Sequence, residues 1–266
     1  AHLVEMQGIV EMYGINNGIL MERMYETLGD KMQLDWSEKH ILALSGGPLP
    51  GLPTTFNGDV RESTTETALF VERLVVANEL ASVFHFLHSQ QIVYRDLKPE
   101  NIGFDVRGHV KLFDLGSAQR LTISKKARSA PVVPVVASAA DTSDTLSLYD
   151  SDHMDDVYYH LTARVGTFPY MAPEVARKQP YNEKCDVFGF GILLWEMMSL
   201  ECAFPDIKTL RDAYYHICFG GQRPTMRNRS QSWPPGVQIV MQECWQPNPR
   251  DRPSFQHIGQ VIRADL

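Results

Sequence analysis

Tyr94-Arg95-Asp96-Leu97-Lys98-Pro99-Glu100-Asn101, followed by Asp114-Leu115-Gly116, is the stretch on which the reading of this chain turns. Short β-like pieces surround it: Ile92-Val93-Tyr94 ahead, then Ile102-Gly103-Phe104 and Val110-Lys111-Leu112-Phe113. The interval from Asp96 to Asp114 has room for a strand, a turn and a second strand. Such a hairpin brings Asp96, Lys98, Asn101 and Asp114 to one edge. An Asp or a Lys alone on a loop is usually solvated surface; the ordered set of four is what carries meaning. A carboxylate and an amide oxygen can hold Mg2+, a second carboxylate can face an incoming hydroxyl, and an ammonium can neutralise a moving phosphoryl group.

Outward from that edge, Phe70, Leu74, Ala77, Leu80, Phe84 and Leu87 recur every three or four positions and predict an amphipathic helix from about Thr67 to His88. Val187 to Met198 is apolar on every side, the mark of a helix buried inside a domain. Nearer the start, Ile9–Ile15 and Ile19–Glu22 flank Asn17-Gly18 and predict a hairpin turning at that dipeptide. Gly46 to Asp59 is dense in Gly and Pro and reads as a surface loop. Ser124 to Asp156 holds Ser, Thr, Asp and small residues without a sustained period, and reads as a mobile insertion.

Hydrophobic residues make up 44% and charged residues 21% of the 266, with a net charge of −7, which is ordinary for a globular protein. No Lys/Arg stripe points to nucleic acid, and no apolar run approaches the ~20 residues that span a bilayer. The first residues lack the basic and apolar blocks of a signal peptide, and the absence of a leading Met suggests a fragment or a processed product. Cys185, Cys202, Cys218 and Cys244 show neither CxxC nor His partners at metal spacing, so reduced packing cysteines in a cytoplasmic protein are expected.

With these words in place, the sequence resembles the eukaryotic protein kinase family. Gly166-Thr167-Phe168-Pro169-Tyr170-Met171-Ala172-Pro173-Glu174 is similar to the end of a kinase activation segment. Asp186-Val187-Phe188-Gly189-Phe190-Gly191 resembles the start of the central helix of the large lobe. Cys244-Trp245, Pro249 and Arg250-Asp251-Arg252-Pro253-Ser254-Phe255 resemble the closing helices. The resemblance implies an α+β, protein-kinase-like fold over 1–266. Residues 1–22 would be a remnant of the N-lobe β-sheet, and 23–266 a predominantly α-helical C-lobe with an insertion at 124–156.

The same resemblance implies roles. Asp96 would accept or orient the substrate hydroxyl proton and Lys98 would stabilise the γ-phosphoryl charge. Asn101 and Asp114 would bind Mg2+, and the Thr167 hydroxyl would touch Asp96 and Lys98. Met21 would stand at the gatekeeper place, with the backbone of Glu22 and Met24 at the adenine edge of ATP. Glu174 and Arg252 would form a structural ion pair. Asp186 would accept N–H groups of the catalytic loop, although an Asp at a helix start is also an ordinary cap. Arg95 would be able to pair with a phosphate on the activation segment, for which Thr162 is the candidate. Lys98 and Gly166-Thr167 point to Ser/Thr rather than Tyr specificity, and the subfamily stays open between the tyrosine-kinase-like group and others.

Departures from the family pattern shape the functional expectation. These 266 residues hold no G-x-G-x-x-G and strand Lys ahead of the first hairpin, and the Gly46–Gly51 cluster lies after it. Tyr94 stands where His is common. Leu115 replaces Phe and is expected to keep an apolar packing role. Gly103 is expected to thin the floor beneath the adenine. The expected function is an ATP- and Mg2+-dependent protein serine/threonine kinase acting on Ser/Thr hydroxyls of proteins in signalling, with this chain alone inactive. The alternative is a catalytically inactive kinase-fold scaffold or binding module. A small-molecule phosphotransferase fits poorly, since Gly166–Glu174 resembles a protein-substrate platform. No nucleic acid and no membrane span are expected, and the oligomeric state is open.

Overall fold

Fifteen consecutive side chains, Cys185 to Ser199, are buried in the helix Lys184–Ser199, so this element is the axle of the fold. Its apolar sequence all round leaves no polar face to solvate, and the helix is stable only inside the domain. Gly191 lets the helix Pro235–Cys244 pack against it: a Cβ there would lie 2.7 Å from Cys244 Cβ. The computed structural model describes residues 6–12, 15–21, 24–44, 58–127, 157–226 and 233–266.

Strands β1 (Met6–Met12) and β2 (Ile15–Met21) form an antiparallel pair. β3 is Glu26–Thr27, and a helical run over 28–44, with a π turn in Lys31–Trp36, is α1. α2 spans Gly58–Ser89. Then come β4 (Ile92–Val93), β5 (Ile102–Phe104), β6 (Val110–Leu112) and β7 (Gln119–Arg120). The remaining helices are α3 (Pro173–Ala176), α4 (Lys184–Ser199), α5 (the run 210–219), α6 (Pro235–Cys244) and α7 (Phe255–Ala264). Among the described residues the result is a helical body with three small sheets, β1-β2, β3-β5-β6 and β4-β7. It is the architecture that the resemblance implies.

Helix α2 begins at Gly58, earlier than the periodicity predicts, and so includes the end of the expected Gly46–Asp59 loop. Leu74, Ala77, Leu80, Ala81, Phe84 and Leu87 form its buried face, and the Phe84 ring stacks on Phe255 of α7 at 4.9 Å. The first hairpin does not turn at Asn17-Gly18. Both residues lie inside β2, with Gly18 opposite Val10 and Ile15 opposite Met12. The pairing shifts register between Val10 and Met12, next to Gly18, and a strand glycine commonly marks such a bulge. Helix α1, which the apolar pattern did not announce, starts with a reciprocal cap: Asp30 N–H donates to Thr27 Oγ1 at 3.1 Å, and Thr27 N–H donates to Asp30 Oδ2 at 3.1 Å.

The expected insertion is partly structured at its start. Ile123–Lys125 forms a 3-10 turn, Lys126 bridges Tyr159, and Tyr159 bridges Tyr181. Ala127 N–H donates to Tyr158 O at 2.6 Å and His160 N–H to Lys125 O at 2.7 Å. Residues 124–127 therefore belong to the body, because strand pairing satisfies their backbone; residues 128–156 lie outside the described ones. All four cysteines are free, three of them buried and Cys202 exposed. Among the described residues no helix is long and apolar enough to cross a membrane.

Candidate active site

The hairpin β5–β6 places the two ends of the deciding stretch together. Ile102 pairs with Leu112 and Gly103 with Lys111, and Phe113 N–H donates to Asn101 O at 3.1 Å. Asp114, the next residue, adopts a left-handed backbone (φ 53°) and accepts Gly116 N–H on Oδ1 at 3.3 Å. Asp96 lies on the other side of Asn101. Asn101 Nδ2 donates to the Asp96 carbonyl at 2.9 Å and to Asp96 Oδ2 at 3.1 Å.

Across the cleft the segment that holds Thr167 meets the same carboxylate. Thr167 Oγ1 donates to Asp96 Oδ1 at 2.8 Å, and Lys98 Nζ lies 3.4 Å from both Asp96 Oδ2 and Thr167 Oγ1. This approach requires Gly166. Its φ is +103°, and a Cβ there would fall well inside the 3.0 Å limit of real contacts, against the carbonyl oxygen of Arg95.

Two further groups hold the loop around Asp96 from beneath. Asp186 Oδ2 accepts Tyr94 N–H at 2.9 Å, and Oδ1 accepts Arg95 N–H at 2.7 Å. His88 Nε2 is 2.9 Å from the same Oδ2. Asp186 lies inside α4, whose cap is Glu183, so its side chain serves the loop and not its own helix end. Fully buried Tyr94 donates its hydroxyl to Phe113 O at 2.5 Å, and burial raises its pKa, so the donor stays protonated. Tyr94 thereby joins the Asp96 loop to the Asp114 turn.

Arg95 itself has φ 74°, a sparsely populated conformation for a non-glycine residue. Its Nε donates to Ser117 O at 2.6 Å, and Nη1 to the Tyr181 hydroxyl at 3.0 Å and the Thr162 carbonyl at 3.5 Å. Thr162 is exposed, so its carbonyl faces inward toward the guanidinium while the residue lies at the surface. At the far end of the segment, Arg252 and Glu174 form a buried two-pronged pair, Nη1–Oε1 2.6 Å and Nη2–Oε2 2.9 Å. Arg252 also donates to Gln246 O and Lys184 O and lies over the Phe188 ring.

Two expectations are corrected. Leu115 does not pack: its side chain is 45% exposed, because the left-handed Asp114 feeds a 3-10 turn that turns it outward. Gly103 does not leave a gap either. The position of its missing Cβ is 3.1–3.2 Å from Met24 Cγ and Sδ and 3.2 Å from a Phe113 ring carbon, so those side chains fill the place. Met24 thus lies against Gly103 from just ahead of β3, where Tyr25 N–H donates to Phe104 O at 3.0 Å. Met21 ends β2, and Glu22 lies outside the described residues. Sequence reasoning missed Tyr181 and the pair Tyr170 Oη–Glu196 Oε2 (2.6 Å), whose carboxylate also accepts Ala203 N–H. Both involve partners distant in sequence and no motif spacing.

The donor set fits a hard divalent ion in one form only. Among the described residues no group of three or more His, Cys, Asp or Glu could hold a metal. Asn101 directs its Nδ2 at Asp96, leaving Oδ1 as a neutral oxygen, and Asp114 adds a carboxylate. Mg2+ accepts one or two protein oxygens when phosphate and water complete its shell.

Comparison with known proteins agrees with this geometry. The model of the family described as protein kinase domain matches residues 57–261. The mitogen-activated protein kinase kinase kinase dlk-1 of Caenorhabditis elegans is 31% identical over 183 residues, 68% of this chain and 16% of the relative. Mitogen-activated protein kinase kinase kinase 13-A of Xenopus laevis is 30% identical over 188 residues, 70% of this chain and 16% of the relative. The dual specificity protein kinase shkE of Dictyostelium discoideum is 29% identical over 208 residues, 78% of this chain and 24% of the relative. The chain therefore spans less than a quarter of the length of these relatives.

Proposed function

Since the chain belongs to the protein kinase domain family, we propose that it is the catalytic lobe of a signalling kinase that phosphorylates Ser/Thr hydroxyls of proteins. The observation that carries the reading is the meeting of Thr167, Lys98 and Asn101 on the Asp96 carboxylate, beside Asp114. Asp96 takes or orients the proton of the attacking hydroxyl. Lys98 offsets negative charge gathering on the transferred group. Thr167 fixes the carboxylate rotamer through its short hydrogen bond. Asn101 and Asp114 would hold Mg2+, which supplies charge neutralisation at the ATP phosphates. Met21, Glu22 and Met24 are the proposed hinge, with Gly103 and the Met24 side chain beneath the base.

The regulatory pair is Arg95 with Thr162: a phosphate on the exposed residue adds charge beside a guanidinium that already holds its carbonyl. A glycine-rich loop and a strand Lys, which clamp the ATP phosphates in kinases, are not among these 266 residues and are supplied in the test.

The test uses the chain joined to those two elements, with Mg·ATP and a protein substrate. Asp96→Asn and Asp114→Ala are each expected to abolish transfer, and acid hydrolysis of the product to yield phosphoserine or phosphothreonine. Retained transfer in either variant overturns the assignment, and phosphotyrosine as the main product overturns the specificity.

A further inference from the structure

Tyr181 belongs to no motif, yet it touches the activation segment at two places, Tyr159 and Thr162. Its backbone pairs with Tyr159 through two hydrogen bonds, 3.0 and 3.1 Å. Its hydroxyl donates to Thr162 O at 2.6 Å and accepts from Arg95 Nη1 at 3.0 Å. A phenol has one proton and two lone pairs, so these two bonds are mutually compatible. The side chain is fully buried, and burial pushes the hydroxyl up to about 12, which keeps the donor protonated across the physiological range.

We propose that Tyr181 is a positioning residue, a latch that docks the activation segment on Arg95 without a phosphate. Resting on the kinase reading of the site, it deepens that reading by assigning how the segment is held. The guanidinium that could bind a phosphate is already occupied by a neutral hydroxyl and by the carbonyls of Ser117 and Thr162. Beyond Thr162 the chain passes Arg164, whose N–H donates to Val175 O at 3.2 Å. It then reaches Gly166, pressed on the Arg95 backbone, and Thr167 on Asp96. The latch thus fixes the approach of Thr167 four residues upstream of Gly166, and modification of Thr162 tunes a segment that is docked beforehand.

The experiment compares the chain with its Tyr181→Phe variant after phosphatase treatment, by amide hydrogen exchange of peptides covering 158–170 and 184–199. The ring keeps its buried place and only the hydroxyl is lost. Exchange across 158–170 is expected to rise about ten-fold, the worth of one hydrogen bond to a charged partner. Exchange in 184–199 should stay as in the parent, which a general packing role would not predict. Equal exchange across 158–170 in parent and variant overturns the latch, as does a dephosphorylated parent already as fast as Tyr181→Phe. No nucleotide enters the measurement, so failure of the phosphotransfer reading is recognised separately.

Discussion

Replacing Gly166 by Ala probes the closest approach in the site. The new Cβ meets the Arg95 carbonyl oxygen, a backbone atom that cannot swing away, and it must do so at φ +103°. A side chain forced into such a conformation costs of order 1–3 kcal/mol. Overpacking adds roughly 1–3 kcal/mol unless something moves. Ordinary contact begins at 3.4 Å, which requires the segment to retreat by about 1 Å. The Thr167–Asp96 bond, now 2.8 Å, would then exceed hydrogen-bonding range, at a loss of about 1.5–3 kcal/mol for a charged acceptor. Undocking the segment is no more costly than the strain, so release is the expected response. The melting temperature should fall by only a few degrees, roughly 2–4 °C per kcal/mol in a domain of this size. Trypsin cleavage after Arg164 should accelerate at least ten-fold. Cleavage at the parent rate, with the melting temperature unchanged, would refute the argument that Gly166 is required by the Arg95 backbone.

Two other perturbations follow from buried charge. Removing one partner of the Glu174–Arg252 pair strands the other inside the domain, so Glu174→Gln or Arg252→Leu should cost about 3–5 kcal/mol in a denaturant titration; a change below about 1 kcal/mol contradicts the buried geometry. Burial raises the Glu196 carboxyl above its ordinary range, against the Tyr170 and Ala203 hydrogen bonds that lower it. The folded state then binds that proton more tightly than the unfolded one. The resulting stability is full below the ordinary carboxylate range and is lost as pH rises through the raised value. Glu196→Gln should flatten this fall in melting curves taken from about pH 4 to 8, and an unaltered pH profile counts against it.

What could be read from the sequence was whatever is encoded locally. Asp96, Lys98 and Asn101 lie within one loop, and the β5–β6 hairpin that returns Asp114 is written in two short apolar runs. The buried helix α4 was legible because its sequence has no polar face. The register of β1 against β2 was not, since Asn-Gly is the stronger turn signal and only pairing across the strands places it inside β2. Helix α1 was legible in principle from Thr27 and Asp30, three apart, a cap without a strong apolar stripe behind it. The filling of the Gly103 position by Met24 and Phe113, the outward turn of Leu115 and the contacts of Tyr181 depend on how separate elements meet. Periodicity carries no trace of them.

The paired backbone at Lys126 and Tyr159 has a consequence for what the chain can carry. Its two sides are already joined by hydrogen bonds from Ala127 and His160, and the second side is tied in turn to Tyr181. The body is therefore closed at this point by its own backbone pairing. A reporter domain, an epitope or a docking sequence grafted between residues 127 and 157 would leave the spacing of Thr167 and Asp96 essentially as it is. The fold has, at this point, a socket whose two rims are joined to each other and to Tyr181, beside the chemistry and not through it.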